Sequence, residues 1–116
     1  MSRFQQIRVR VEAHYAKSLA KDFPALHGRI CKLDNRYLQH EPPLMELVPV
    51  VARLGLDPHV EPKTRQIASR WAGRLEALER QAQNNIASWL LAAAEQDLAR
   101  MDELFMELEE ALAELD

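Results

Sequence analysis

Lys63 to Asp116 reads KTRQIASRWAGRLEALERQAQNNIASWLLAAAEQDLARMDELFMELEEALAELD, and the spacing of its apolar residues decides the fold class. Apolar side chains fall at 67, 71, 75, 78, 82, 86, 90, 94, 98, 101, 105, 108, 112 and 115, about 3.7 residues per step, close to the α-helical period. The stretch has no proline and one glycine, Gly73. Its last steps alternate four and three, as in a heptad, but for too short a run to specify a coiled coil. Asn84-Asn85 is the one place where helix propensity drops. Unbroken, the helix would be about 80 Å long at 1.5 Å per residue, too long for the rest of the chain to cover, and its end would project and dimerise. Broken at Asn84-Asn85, it would fold back into a compact bundle of four or five helices. Two asparagines without glycine or proline are a weak stop, so the reading leans to one long or gently bent helix.

Upstream, Phe4, Ile7, Val11, Tyr15, Leu19 and Ala20 form one stripe of a first helix, about Phe4 to Asp22. Arg8, Arg10, Lys17 and Lys21 lie off that stripe. Pro24 interrupts the chain and suits the first turn of a second helix, with Asp22 as N-cap and Leu26, Ile30, Leu33, Tyr37 and Leu38 as its buried face. Glu41-Pro42-Pro43 ends it. A third element runs from about Pro43 to Leu54, kinked or divided at Pro49, with Gly55 as the left-handed residue after its end. Leu56–Glu61 is a loop, and Pro62 opens the long segment. The expectation is an all-α protein: one helical domain over 1–116, a bundle of three to five helices with short helices in 1–56 and the long segment in 63–116.

The composition agrees. Hydrophobic residues are 47 % and charged residues 28 % of 116, enough for one modest core. Ile7–Val11 (IRVRV) alternates like a strand but has no partner run, so it reads as helix. A single cysteine, Cys31, excludes an internal disulfide, and its apolar-periodic surroundings point to a buried structural thiol. Neither a signal-peptide core nor a bilayer-spanning apolar run is present, which places the expected location in the cytoplasm and predicts no membrane partner. Net charge is −3, unevenly spread. Residues 1–36 hold eight Lys/Arg against three Asp/Glu, whereas residues 95–116 hold one arginine against nine Asp/Glu.

Chemistry-bearing patterns are sparse. His14, His27, His40 and His59 show no metal-ligand spacing, so no metal is expected. No phosphate loop or nucleophile elbow occurs, and Ser18, Ser69 and Ser88 have no local base. The carboxylates Asp102, Glu103, Glu107, Glu109, Glu110 and Glu114 read as a solvated face rather than an acid/base pair. No cofactor and no enzymatic activity are expected. Residues 47–71 suggest a helix-turn-helix, but the acidic, proline-terminated connection between the two helices is too long for that motif. Lys63, Arg65, Arg70, Arg74 and Arg80 read as a basic stripe, either solvated and paired internally or facing an acidic partner such as a nucleic-acid backbone. Trp71 and Trp89 would share a face of a continuous helix and read as core. The acidic tip joins Met101, Leu104, Phe105, Met106, Leu108 and Leu112 to dense negative charge, an adaptable amphipathic surface that fits a partner's groove or the chain's own basic first helix.

The segment from Ile67 through Trp71, Leu75 and Leu78 to Arg80 (IASRWAGRLEALER) and the tripeptide Lys32-Leu33-Asp34 are similar to stretches of the primosomal replication protein C (PriC) family of helical replication-restart accessories. The resemblance covers about a fifth of the chain. It implies binding to single-stranded-DNA-binding protein or to DNA; the C-terminal part, basic in that family, is acidic here. From the residues themselves, the leading expectation is a non-enzymatic helical adaptor or regulator that acts through a protein partner and self-associates as a homo-oligomer. Its contact residues would be Met101, Leu104, Phe105, Met106, Leu108 and Leu112. The alternative is a nucleic-acid-associated accessory using Arg65, Arg70 and Arg74.

Overall fold

Ser18 acts as a helix cap, its hydroxyl accepting the Lys21 N–H at 3.1 Å, and α1 (Leu19–Asp22) follows as a single turn. The computed structural model describes residues 18–38 and 42–116. The stripe Phe4, Ile7, Val11 and Tyr15, the cations Arg8, Arg10 and Lys17, and His14 and His40 lie outside them. Among the described residues every regular element is helical: α2 (Pro24–Asp34) running into a 3-10 turn at Asn35–Leu38, α3 (Leu44–Leu56), α4 (Pro62–Ala87) and α5 (Leu91–Ala113). The protein is an all-α bundle.

Pro24 divides α1 from α2 as expected, but Phe23, not Asp22, is the N-cap of α2 and brings no capping side chain. The cap comes from 84 residues away: the Glu109 carboxylate on α5 accepts the Ala25 N–H (2.9 Å) and the Leu26 N–H (2.9 Å). Two orphan donors at the positive end of α2 are thereby satisfied by an anion, the arrangement that the helix dipole favours. After α2, Arg36 grips Asp34 through Nε (3.0 Å) and Nη2 (2.7 Å) while its N–H donates to the same carboxylate. These bonds hold the Asp34 carboxyl down at about 2.

Pro49 neither divides nor ends α3. A mid-helix proline costs about 3 kcal/mol, yet Leu44, Leu47, Val48, Val50, Val51 and Leu54 are all buried around it, each contributing on the order of 1.5–3 kcal/mol. Tertiary burial outweighs the local penalty. Gly55 is not a left-handed cap: it lies inside α3, which continues to Leu56 and is capped at Asp57. Its role is close approach. A Cβ there would meet Ser69 Oγ at 2.5 Å, Ser69 N at 3.0 Å and Ser69 Cα at 3.1 Å, and the Ser69 hydroxyl donates to the Gly55 carbonyl at 3.0 Å. The α3 and α4 backbones cross there at the separation that only glycine allows.

The 63–116 segment is two helices, not one. The break falls at Ser88-Trp89-Leu90, a few residues beyond Asn84-Asn85. Helix α4 continues past the asparagines because Asn85 is used: its Nδ2 donates to Asp97 at 2.6 Å, and Gln81 Nε2 donates to the other Asp97 oxygen at 2.7 Å. Asp97, buried on α5, is thus fully paired with α4 and locks the two helices side by side. Ala68, Ala72 and Ala82 give α4 a shallow buried face that α3 and α5 approach from either side. Into the remaining space fit Leu26 and Ile30 from α2, Leu75 from α4, and Met101, Leu104, Phe105, Leu108 and Leu112 from α5. Phe23 meets Phe105 edge-on, with ring centroids 6.2 Å apart.

Candidate interaction site at the α4–α5 turn

The turn that reverses the chain between α4 and α5 is built almost entirely by backbone. Leu90 N–H reaches back to the Asn85 carbonyl (2.8 Å), Trp89 N–H to Ile86 (3.0 Å) and Ser88 N–H to Asn84 (3.0 Å). The 6→1 and 5→2 pair is the Schellman closure of a helix end, which requires the residue after the cap to adopt the left-handed conformation. Glycine normally occupies that place because it has no Cβ to clash. Here it is Trp89, at φ 60°, the one non-glycine residue with positive φ among the described residues. A bulky residue there costs roughly 1–2 kcal/mol.

Burial does not offset that cost. Trp89 is 59 % exposed and Leu90, the next residue, 55 %. Around them the chain is uncharged: from Gln81 to Ala94 (QAQNNIASWLLAAA) there is no Asp, Glu, Lys or Arg, and Ala87, Ser88 and Ala92 are exposed as well. The turn therefore presents an aromatic and an aliphatic side chain, held outward on a backbone fixed by three hydrogen bonds, on a neutral surface. Strain of this kind recurs at functional positions in proteins, which makes Trp89 a candidate.

The residues expected to form a partner surface on the acidic tip are placed otherwise. Met101, Leu104, Phe105, Leu108 and Leu112 are interior residues of the chain's own core, and only Met106, 52 % exposed, stands free. Their stripe packs against α2 and α4, and the chain turns back at Ser88–Leu90 where one long projecting helix was expected. The charged face is partly spent internally too: Glu109 caps α2, Asp116 pairs with Arg29 at 2.9 Å, and Glu103 pairs with Arg100 at 2.7 Å.

The basic residues of α4 do not form one stripe. At about 100° per residue, Arg65 lies about 140–180° around the helix from Arg70 and Arg74. Arg65 is half-buried, with its Nε enclosed and unbonded. Arg70 and Arg74 are exposed and flank Trp71, their guanidinium carbons 5.8 and 6.0 Å from its ring centroid, so part of their charge is directed to an aromatic face. Trp71 is half-buried and Trp89 exposed, whereas both were expected in the core. Cys31, also expected buried, is exposed, with Sγ 3.9 Å from His27 Nδ1. It lies about 100° around α2 from Ile30 and so off the apolar face. Among the described residues no group of three or more His, Cys, Asp or Glu is disposed to hold a metal ion, and no helix is long and apolar enough to cross a membrane.

The sequence marks Trp89 but reads as core there, because Trp89 falls among apolar neighbours. The signal that could have found the turn is the charge-free stretch itself, since a solvent-facing helix of this length carries charges on its outer face. Comparison with protein-family models, with curated proteins and with solved structures gives no significant match.

Proposed function

We propose that the protein is a non-enzymatic helical adaptor or regulator that works by protein–protein contact, and that it engages its partner through Trp89 and Leu90. The observation that carries this reading is a tryptophan held exposed in a glycine conformation at a neutral turn. Tryptophan is the side chain most enriched among interface anchors, and a rigid turn presents it at little entropic cost. The chemistry of the patch defines the partner: an apolar pocket on another protein, without a charge requirement. A second copy is a poor occupant. Two side chains offer on the order of 300 Å², against about 800 Å² per partner in a stable interface. A nucleic-acid backbone would demand cations, and none lies between 81 and 94.

The test is affinity capture from the native host by wild type, Trp89→Gly and Leu90→Ser, with each variant's fold checked by circular dichroism. The expected result is a discrete protein that wild type retains, that both variants lose, and that binds again as a purified component. An identical set retained by Trp89→Gly would overturn the assignment. So would a blue shift of Trp89 emission on neutral lipid vesicles in a Trp71→Phe background, which would make the surface a lipid contact. Salt-sensitive DNA binding that survives Trp89→Gly and is lost in Arg70→Ala/Arg74→Ala would favour the nucleic-acid accessory instead.

A further inference from the structure

At the end of the α4–α5 pair away from the turn, a cleft of about 550 Å³ opens between α2, the end of α3, the 57–61 loop, the start of α4 and the last residues of the chain. That volume lies within the usual range for small-molecule sites. Its lining brings the apolar Leu33, Leu54 and Val60 together with the cations Arg29, Lys32 and Arg53 and the carboxylates Asp57, Glu61 and Asp116. Gly28 lines the cleft as well, and a Cβ added there would meet nothing within 4 Å.

Arg29 is the fixed element. Its side chain is only 14 % exposed. Nη1 donates to the Ala25 carbonyl (3.1 Å), Nη2 to the Leu112 carbonyl (3.2 Å) and Nε to Thr64 Oγ1 (3.4 Å). The guanidinium is therefore anchored by three elements before it meets any anion. Its fork is filled by the Asp116 carboxylate, Oδ1 at 2.9 Å from Nη2 and Oδ2 at 3.2 Å from Nη1. Asp116 is a very different kind of partner. It lies beyond the end of α5 with its side chain 63 % exposed, held by one backbone bond to Ala113. The Arg29 hydrogen bonds, and behind them Lys32, keep its carboxyl below the usual range. A rigid, mostly buried fork is thus occupied by a largely exposed carboxylate, bound in the bidentate geometry that guanidinium uses for carboxylates.

We infer that this cleft is a binding site for a small organic carboxylate with an apolar body, and that Asp116 is its internal stand-in, displaced when the ligand's carboxylate takes the Arg29 fork. The apolar body lies along Leu33, Leu54 and Val60. Asp57 does not compete for the fork, since its carboxylate is turned to its own loop, accepting the His59 N–H at 2.8 Å. With Asp116 out, the lining cations Arg29, Lys32 and Arg53 exceed the carboxylates Asp57 and Glu61 by one charge. A planar monocarboxylate matches that, and a compact polyanion does not use the apolar lining.

The experiment titrates the full chain with octanoate by calorimetry and by amide chemical shifts, with octanol and inorganic phosphate as separate arms. Wild type is expected to bind octanoate weakly, and Asp116→Ala about tenfold more tightly, since a tethered competitor at high effective concentration is removed. Shifts should centre on Gly28, Arg29 and Val60. Octanol and phosphate should each bind at least tenfold more weakly than octanoate. Gly28→Phe fills open space, so its fold should persist while octanoate binding is lost; Arg29→Met should also lose binding, and Gly28→Phe decides the matter if Arg29→Met fails to fold. No octanoate binding to Asp116→Ala at millimolar concentration overturns the inference, as does equal binding to a folded Gly28→Phe, or octanol or phosphate binding as well as octanoate. None of these outcomes bears on the Trp89 surface, which lies at the other end of the helix pair.

Discussion

At the scale of single residues, Gly55 and Gly73 illustrate how position overrides residue type. Both lie inside helices, where glycine is about 1 kcal/mol less favourable than alanine. At Gly73 a Cβ would meet nothing within 4 Å, so Gly73→Ala should stabilise by about 1 kcal/mol. At Gly55 the added carbon would fall 3.0 Å from Ser69 N and 3.1 Å from Ser69 Cα. A side chain could rotate away, but backbone cannot. The α3–α4 crossing would have to widen, and overpacking of this kind costs about 1–3 kcal/mol. Gly55→Ala should therefore destabilise by about 1–2 kcal/mol despite its better helix propensity. Thermal unfolding of the two variants side by side checks this; the same sign for both would refute the close-approach reading. The sequence showed that these were glycines near helical stretches. It could not show that Ser69 stands opposite one of them, because that pairing exists only once α3 and α4 have folded together.

The elements show the same division. Proline signals were legible: Pro24 and Pro62 begin helices, for the local reason that their missing N–H is an orphan there anyway. The amphipathic pattern of the tip was legible as well, but not what covers it, since a stripe states only that something apolar lies opposite. The break between α4 and α5 was misplaced because its stop signal is disguised. A Schellman closure normally shows a glycine, and this one carries Trp89. It follows that Trp89→Gly should leave stability within about 1 kcal/mol of wild type, with relief of left-handed strain offsetting the contacts of a side chain more than half exposed. A core tryptophan replaced by a small residue would lose about 3–5 kcal/mol, and a loss of that size in denaturant unfolding would mean that Trp89 is structural. The start of α2 was legible from Pro24, but its cap was not, lying 84 residues downstream in Glu109. Glu109→Ala should cost about 1–2 kcal/mol, the upper range for a lost cap. The loss should appear as faster amide exchange at Ala25 and Leu26, with protection in the middle of α4 unchanged.

For the whole molecule, the acidic groups divide into two sets with opposite effects on stability, and the division predicts the pH profile. Asp34 and Asp116 are held below the ordinary carboxyl value of 3.8, Asp34 at about 2 by the hydrogen bonds of Arg36 and Asp116 by those of Arg29. A depressed folded value means that the unfolded chain takes up the proton first. What these pairs contribute is therefore fully present above about pH 5 and is lost as pH falls through 3.8 and below. Asp102 and Glu79 behave in the reverse sense. Burial raises both, with Asp22 and then Glu103 adding repulsion at Asp102, and Glu76 at Glu79. Their ionised forms are disfavoured in the folded chain, so protonation relieves the fold as pH falls from neutral toward their ordinary values of 3.8 and 4.5. Solvent and salt screen both sets, so each effect is small. The sum is a stability maximum on the mildly acidic side of neutrality, with a decline as pH falls through 3.8. The decline should begin around α2, since Asp34 ends that helix and Arg29 ties it to the last turn of α5. Thermal midpoints from pH 3 to 8 would show this, and Asp102→Asn with Glu79→Gln should raise the midpoint at pH 7 and flatten the rise toward pH 5. A midpoint that falls steadily from pH 7 to pH 4, unchanged in shape by that double substitution, would refute the assignment of the two sets.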